Sequence, residues 1–170
     1  MLEANARFLL AERNLAYLGK SDGALERAQA ILAARPADAN DILWPQITLQ
    51  VADTESEWLI TSGQLAKAAP VLARGRRAAT MARALNPGDN EVNLLTGNLE
   101  LQTARTLQGA ARLAALREAQ RTVALALQQN ARPLHGWILL GEIHRRQAEL
   151  QKGAPQSEAI AAAEAALGTA

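Results

Sequence analysis

The sequence contains no cysteine, and only 3% of its 170 residues are aromatic. Without cysteine, the chain can form no disulfide, no thiolate nucleophile and no cysteine-based metal site. Strands are rich in aromatic and β-branched residues, so the scarcity of aromatics argues against a sheet. No apolar run reaches the roughly 18 residues of a membrane-spanning helix, and we therefore expect no membrane partner.

A bias toward one charge is lacking as well, because 18 basic and 17 acidic residues leave a formal net charge of +1. Such a balance gives no general attraction to nucleic acid or to an anionic membrane. The chain opens with MLEANAR, which is charged and helix-like and does not resemble a secretion signal. We expect a cytoplasmic protein, or a periplasmic one if a signal or anchor lies outside this sequence.

Alanine and leucine supply most of the hydrophobic content, which is 49% of the chain. Both favour helices, and clusters of glycine, proline and asparagine divide the helical stretches into pairs. The predicted fold is an all-α solenoid of about four antiparallel hairpins, some with lengthened helices, in a single domain over residues 1–170. Neither end is closed by a turn or cap, so we expect a fragment of a longer protein. The hairpins are expected at about 2–35, 41–86, 90–130 and 134–170.

Helical periodicity and capping residues predict where the individual helices begin and end. Asp41 is an expected N-cap, as is either Asp89 or Asn90. Pro70 either kinks the fourth helix or marks its true start after a loop over 63–69. The predicted helices span 2–18, 24–35, 42–62, 64–86, 91–108, 110–130, 134–151 and about 156 onward.

Three short segments, WILLG, NLLTG and LITSG, suggest an internal repeat, and they end at Gly141, Gly97 and Gly63. The spacing from Gly63 to Gly97 matches the period of about 34 residues that is typical of the tetratricopeptide repeat, which the chain resembles. The pattern W-x-x-L-G of that repeat is carried here by Trp137, Leu140 and Gly141. The resemblance implies that each glycine lets two antiparallel helices approach closely, so a leucine in place of Gly141 would overpack the contact.

Other segments extend this resemblance over most of the chain. The sequence ALNP at 84–87 resembles the junction between two repeats, and ALE at 24–26 with Pro36 resembles the second half of a first repeat. A turn at Gly153-Ala154-Pro155 is similar to repeat regions attached to bacterial serine/threonine kinases, which would make this chain a non-catalytic regulatory segment. No kinase motif occurs in it. The second helix of the last repeat is matched by Ala159, Ala163, Ala166 and Leu167.

Proteins of the tetratricopeptide type bind partners along a concave surface lined by the first helix of each pair. The resemblance therefore implies a protein or peptide partner and a scaffold or regulatory role. Asn98 matches an asparagine that some members use to hold a peptide's terminal carboxylate. Leu94 replaces the lysine expected four residues earlier, which argues against such a clamp. The candidate partner-binding residues of the concave face are Gln64, Asn98, Gln102, Glu142 and Arg145.

No arrangement of residues indicates catalysis or metal binding. His135 and His144 are nine residues apart on one predicted helix, and they point to opposite faces. Asp53, Glu55 and Glu57 alternate along another helix and do not converge on one point. Phosphate-binding loops, nucleophile elbows and zinc motifs do not occur. We expect no catalytic residue, no cofactor and no metal ion, and hence no enzyme within this chain.

Opposite charges are expected to face each other within the second hairpin. Residues 36–66 contain five acidic and no basic residues, and residues 67–86 contain five basic and no acidic ones. If Gly63 forms the turn, the two helices attract each other and help to set their register. On the same hairpin, Trp44 and Trp58 share one helical face and are expected to pack in the core.

Two further functions stay open at the level of sequence. The end helices could pair with copies of the chain, because an unclosed repeat array leaves an apolar end face. A row of arginines could follow a nucleic-acid backbone, but the chain has few aromatics to stack on bases, and acidic residues are interspersed. These arginines are Arg74, Arg76, Arg77, Arg83, Arg105, Arg112, Arg117 and Arg121.

Overall fold

The computed structural model of the chain describes residues 23–34 and 43–170. Within these residues it contains seven helices and no strand, which confirms the all-α prediction. The predicted helix over 2–18 and the predicted N-cap at Asp41 lie outside the described residues. The helices are α1 (Ala24–Ala34), α2 (Leu43–Thr61), α3 (Leu65–Leu85), α4 (Asn90–Arg105), α5 (Gly109–Gln129), α6 (Leu134–Leu150) and α7 (Ala154–Thr169).

The described helices fall into two compact units that divide after Pro87. The first unit contains α1, α2 and α3, and the second, Gly88–Ala170, contains α4 to α7. Helix α2 packs against α3, α4 against α5 and α6 against α7, which are the second, third and fourth predicted hairpins. That all hairpins form one solenoid domain stays a prediction.

Local chemistry accounts for several helix ends. Asp89 precedes α4, and its side chain accepts a hydrogen bond from the backbone N–H of Val92 at 3.0 Å, so this predicted N-cap is confirmed. Gly63 forms the turn between α2 and α3 with a φ of +77°, which glycine adopts without steric cost. Pro70 lies inside α3, so the alternative that the helix starts only at this proline is wrong.

In the first unit, α1 packs onto α2 through a small apolar cluster that includes Leu25, Leu32 and Val51. Trp44 lies half-buried against this cluster, as predicted for a core residue. Its indole N–H donates to the backbone oxygen of Leu32 at 3.1 Å, which ties the first turn of α2 to the last turn of α1. Trp58 is also half-buried on α2.

The second unit is built around one apolar cluster to which α4, α5 and α6 all contribute. Leu116, Val123 and Leu127 of α5 are buried in it. Helix α6 enters the cluster at Gly136, where an added Cβ would lie 2.9 Å from a methyl carbon of Leu127 and 3.1 Å from one of Leu94. The lack of a side chain at this glycine therefore lets α6 rest directly on the preceding hairpin.

Two further glycines lie where the paired helices of a hairpin touch. A Cβ added to Gly97 of α4 would lie 2.3 Å from Cγ2 of Val123 on α5. A Cβ added to Gly141 of α6 would lie 2.7 Å from Cγ of Leu167 on α7. The prediction that these two glycines occupy close helix contacts is confirmed.

The contacts of these glycines repeat with a period of 44 residues. Val123 and Leu167, the side chains that the two glycines meet, are 44 residues apart, as are Gly97 and Gly141 themselves. The C-terminal caps of α3 and α5, Asn86 and Asn130, have the same separation. The structural repeat of this chain is therefore longer than the spacing from Gly63 to Gly97.

Gly63 does not belong to this series. It lies in a turn, where an added Cβ would meet nothing within 4 Å, whereas Gly97 lies inside a helix. The spacing from Gly63 to Gly97 therefore relates a turn position to a position inside a helix. The expectation that Gly63 lies at a close helix contact is wrong.

We expect Gly97→Ala to lower the free energy of unfolding by about 1–3 kcal/mol, although alanine is the better helix former. The added methyl group would collide with Val123, which is fully buried and, because it is β-branched, has little freedom to rotate away. Urea unfolding followed by circular dichroism measures the change.

Gly168→Ala is the matched control, because Gly168 lies in the last turn of α7 and an added Cβ would meet nothing within 4 Å. There alanine should raise the free energy of unfolding by up to about 1 kcal/mol. If Gly97→Ala and Gly168→Ala changed the free energy of unfolding in the same direction, Gly97 would not be held at a close contact.

Candidate functional site

A groove runs along the second unit between α4 and α6, the first helices of its two hairpins. Its volume is about 510 Å³, within the range of sites that hold small ligands or the side chains of a peptide. Helix α5 packs against both α4 and α6. The groove is lined by Asn90, Glu91, Leu94, Leu95, Asn98, His135 and Leu139.

Equivalent positions of the 44-residue repeat line the two sides of the groove. Glu142 lies seven residues after His135, and since two helical turns span about seven residues, both side chains lie on the same face of α6. Its repeat equivalent on α4 is Asn98, which lines the groove directly. The equivalent pairs are Glu91 and His135, Leu95 and Leu139, and Asn98 and Glu142.

The groove has an apolar base and a polar edge. Leu94 is buried beneath Gly136, and Leu95 and Leu139 are half-buried. At the edge, the side-chain nitrogen of Asn90 donates to the backbone oxygen of Ala126 at 2.6 Å, which fixes the start of α4 against the end of α5. A ligand would therefore meet leucine side chains surrounded by amides, carboxylates and an imidazole.

Glu142 is held in place by arginines of its own helix. Its Oε1 accepts hydrogen bonds from Nη2 of Arg145 at 2.8 Å and from Nε of Arg146 at 2.7 Å. The bond from Arg145 is the larger cause that lowers the pKa of Glu142, and it outweighs the burial that raises it. Nη1 of Arg145 also donates to Oε1 of Glu149 at 2.7 Å. The carboxylate of Glu142 thus stays ionised with a fixed orientation.

Three of the predicted concave-face residues lie elsewhere. Gln64 is in the turn after α2 rather than on it, because α2 ends at Thr61, and its side chain bonds Ser62. Gln102 is buried inside the second unit and does not face the groove. Arg145 is exposed about 120° around α6 from Leu139, so it points away from the groove.

Of the predicted set, Asn98 is therefore the one that lines the groove, and Glu142 lies on the same side of α6 without being one of the lining residues. The sequence reasoning missed Glu91, His135 and Leu139, which line it. The signal that could have found them is the 44-residue repeat, since Glu91 and His135 are equivalent positions of adjacent hairpins.

Three arginines of the proposed nucleic-acid row, Arg74, Arg112 and Arg121, form ion pairs with carboxylates. Arg74 of α3 forms an ion pair with Glu55 of α2, in agreement with the predicted attraction between these two helices. Arg121 forms an ion pair with Glu118 on the same helix. Such neutralised arginines attract phosphates less strongly, which disfavours a nucleic-acid track.

The two histidines of α6 lie on different sides of the helix, as predicted. His135 lines the groove, whereas His144 lines a separate cavity of about 340 Å³ between α5, α6 and α7. Nδ1 of His144 lies 3.2 Å from Oε1 of Gln147, and Nε2 of Gln147 donates to Oε1 of Gln120 at 2.9 Å. Among residues 23–34 and 43–170, no His, Asp and Glu side chains gather where they could hold a metal ion.

The first unit contains a cavity of about 590 Å³ between α1, α2 and α3. Trp44, Arg74, Arg77 and Met81 contribute to its lining. Trp44 thus packs in the core with one side of its ring and borders this cavity with another. In the described part of the chain, no helix combines the length and the apolar character needed to cross a bilayer.

No protein-family model, no curated protein and no solved structure matches this chain. The resemblance to tetratricopeptide repeats therefore stays a prediction that rests on the motifs of the sequence.

The half-buried His144 gives a prediction for the pH dependence of stability. Burial lowers the pKa of His144 below its ordinary value of 6.5, and the hydrogen bond with Gln147 only partly opposes this. Below that pH the unfolded chain binds a proton that the folded chain does not, so the free energy of unfolding should decrease as the pH falls below about 6.5. Urea unfolding at a series of pH values measures this slope.

His144→Gln should flatten the slope between about pH 7 and pH 5, because glutamine has no ionisable group in this range. His135→Gln removes the exposed histidine of the same helix and is the control. Arg117 and Glu158 line the same cavity as His144 and are left unchanged in both variants. A slope that is the same in wild type and His144→Gln would contradict the assignment.

Proposed function

We propose that the chain is a helical recognition module that binds a segment of a partner protein along the groove between α4 and α6. The observation that carries this proposal is that equivalent repeat positions, Glu91 and His135 and also Leu95 and Leu139, line one groove from α4 and α6. The resemblance to tetratricopeptide repeats, which bind peptides on this side of their hairpins, supports it.

The chemistry of the groove favours a particular kind of peptide. Leu95 and Leu139 offer an apolar base for an aliphatic or aromatic side chain. Glu91 places a carboxylate in its lining, and none of the lining residues is lysine or arginine. We therefore propose a ligand segment that carries an apolar anchor residue beside lysine or arginine.

Asn98 supplies an amide at the middle of the groove, and an amide can both donate to and accept from a peptide main chain. The residue four positions earlier, Leu94, is buried against Gly136 and offers no positive charge. A terminal carboxylate would therefore find no cation among the lining residues, and an internal peptide segment fits better than a carboxyl terminus.

A random-peptide library displayed on phage and panned on the intact chain tests this proposal. The selected peptides should share an apolar residue next to lysine or arginine. Fluorescence anisotropy then gives the Kd of one selected peptide for wild type and variants. Glu91→Lys should weaken binding at least fivefold, because it reverses the charge of the carboxylate in the groove lining, and Leu139→Ala should do so by removing part of the apolar base.

Glu118→Lys is the matched control, since Glu118 is an exposed glutamate on the second helix α5, away from the groove lining. It should change the Kd less than twofold. Unchanged affinity in both groove variants, with native circular dichroism spectra, would overturn the proposal. Arg121→Glu tests the nucleic-acid alternative: loss of single-stranded DNA binding in this variant, with a steep salt dependence, would favour that function instead.

A further inference from the structure

A polar cavity lies on the side of α6 that faces away from the groove. It is the cavity that His144 lines, and its volume of about 340 Å³ suits a small ligand. Helix α6 packs against both α5 and α7, whereas α5 and α7 stay apart, so the cavity is a trough with α6 as its floor. Its polar lining residues are Arg117 and Gln120 of α5, His144, Gln147 and Gln151 of α6, and Glu158 of α7.

A chain of hydrogen bonds orients the side chains of the floor and of the α5 wall. Oε1 of Gln147 can only accept, so Nδ1 of His144, 3.2 Å away, carries a hydrogen and donates to it. Nε2 of Gln147 donates in turn to Oε1 of Gln120 at 2.9 Å. Gln147 is only 5% exposed, so this buried amide holds both of its neighbours in place.

The direction of this chain leaves one acceptor on α6 and one donor on α5. Burial lowers the pKa of His144, so its imidazole is neutral at about pH 7 and its Nε2 is an acceptor. The oxygen of Gln120 is occupied, which leaves the amide nitrogen of this residue to donate. In the described part of the chain, neither Nε2 of His144 nor the side-chain nitrogen of Gln120 has a hydrogen-bonding partner.

Two exposed charged side chains complete the walls of the trough. Arg117 lies one turn before Gln120 on α5, and Glu158 lies on α7. Neither charged side chain forms a hydrogen bond or an ion pair with any residue that the structure describes. The α5 wall thus offers the donors of Arg117 and Gln120, while the floor and the α7 wall offer the acceptors of His144 and Glu158.

We propose that this cavity binds a free amino acid with a polar, uncharged side chain. The donors of α5 match its carboxylate, since a guanidinium binds a carboxylate through two parallel hydrogen bonds. The carboxylate of Glu158 and Nε2 of His144 match its ammonium group. A simple anion would be repelled by Glu158 and a simple cation by Arg117, so a ligand that carries both charges fits the two walls best.

The rest of the lining selects the side chain of the ligand. Gln151 adds a further amide on α6, and the other lining residues are Pro155, Ala159 and Ala162, which form no deep apolar pocket. The side-chain amide of a bound glutamine can form a hydrogen bond with Gln151, whereas a leucine side chain would offer that amide no partner.

Titration of the intact chain with L-glutamine, followed by the NMR chemical shifts of the backbone amides, tests this proposal. Two analogues each lack one charge: glutaramate is glutamine without its amino group, and γ-aminobutyramide is glutamine without its carboxylate. Glutamine should bind about tenfold more tightly than either analogue, and more tightly than leucine. The shifted amides should include those of Gln120, His144 and Glu158.

Two results would overturn the proposal. One is that glutamine, asparagine and serine all fail to shift these amides at concentrations up to about 10 mM. The other is that a single-charge analogue or leucine binds as tightly as glutamine.

Substitutions in the two walls test which wall holds which end of the ligand. Arg117→Gln and Glu158→Gln should each weaken the binding of glutamine about tenfold. Arg132→Gln and Glu164→Gln are the matched controls, because they remove exposed charges of the same kind that lie outside the cavity lining. Both controls should change the Kd less than twofold.

The single-charge analogues separate direct contact from an effect on folding. Glu158→Gln should not weaken the binding of glutaramate, which has no ammonium group, and Arg117→Gln should not weaken that of γ-aminobutyramide, which has no carboxylate. If each variant weakened both analogues alike, the two side chains would not contact the ligand, and the proposed orientation would be wrong.

Discussion

The structure of the second unit depends on helices that approach each other without a side chain between them. Gly97 and Gly141 let the two helices of each hairpin touch at the positions of Val123 and Leu167. Gly136 lets α6 rest on the preceding hairpin in the same way. Dispersion contacts fall off steeply with distance, so a chain with few aromatics to fill gaps has to bring its backbones close together. The alanine-rich and leucine-rich composition and these glycines therefore serve the same purpose, which is to pack the helices closely.

This close packing also determines where the groove lies. Gly136 lets α6 pack directly on Leu94 and Leu127. The nearby residues His135 and Leu139 of α6 therefore face α4 across a narrow space. A side chain at position 136 would push the two helices apart and widen that space. The groove thus results from the way α6 packs on the core. Its polar residues occupy positions of α4 and α6 that do not pack in the core.

The sequence predicted the features that local chemistry controls and missed those that depend on how the helices pack against one another. The number of helices, the helix ends and the N-cap at Asp89 follow from helix-breaking and capping residues. In the described ranges the helix ends agree with the structure to within a few residues, and Asp89 is the N-cap of α4. Gly97 was predicted correctly at a helix contact because its segment resembles a motif. Gly63 shares that segment pattern but ends α2, and placing it in the same series moved Gln64 onto a helix to which it does not belong. Gln102 lies one turn after Asn98, in phase with the groove residues of α4, yet it is buried, so helical spacing alone did not reveal that the core covers it.

A repeated hairpin gives equivalent residues different roles according to what lies beside them. Leu94 and Ile138 occupy the same place in successive repeats, yet one is buried under α6 and the other is exposed. Asn98 and Glu142 are likewise equivalent, but only Glu142 is followed by arginines that neutralise and orient its carboxylate. Equivalent positions of the repeat can therefore differ in burial and in charge, while the glycine contacts that hold each hairpin together stay the same.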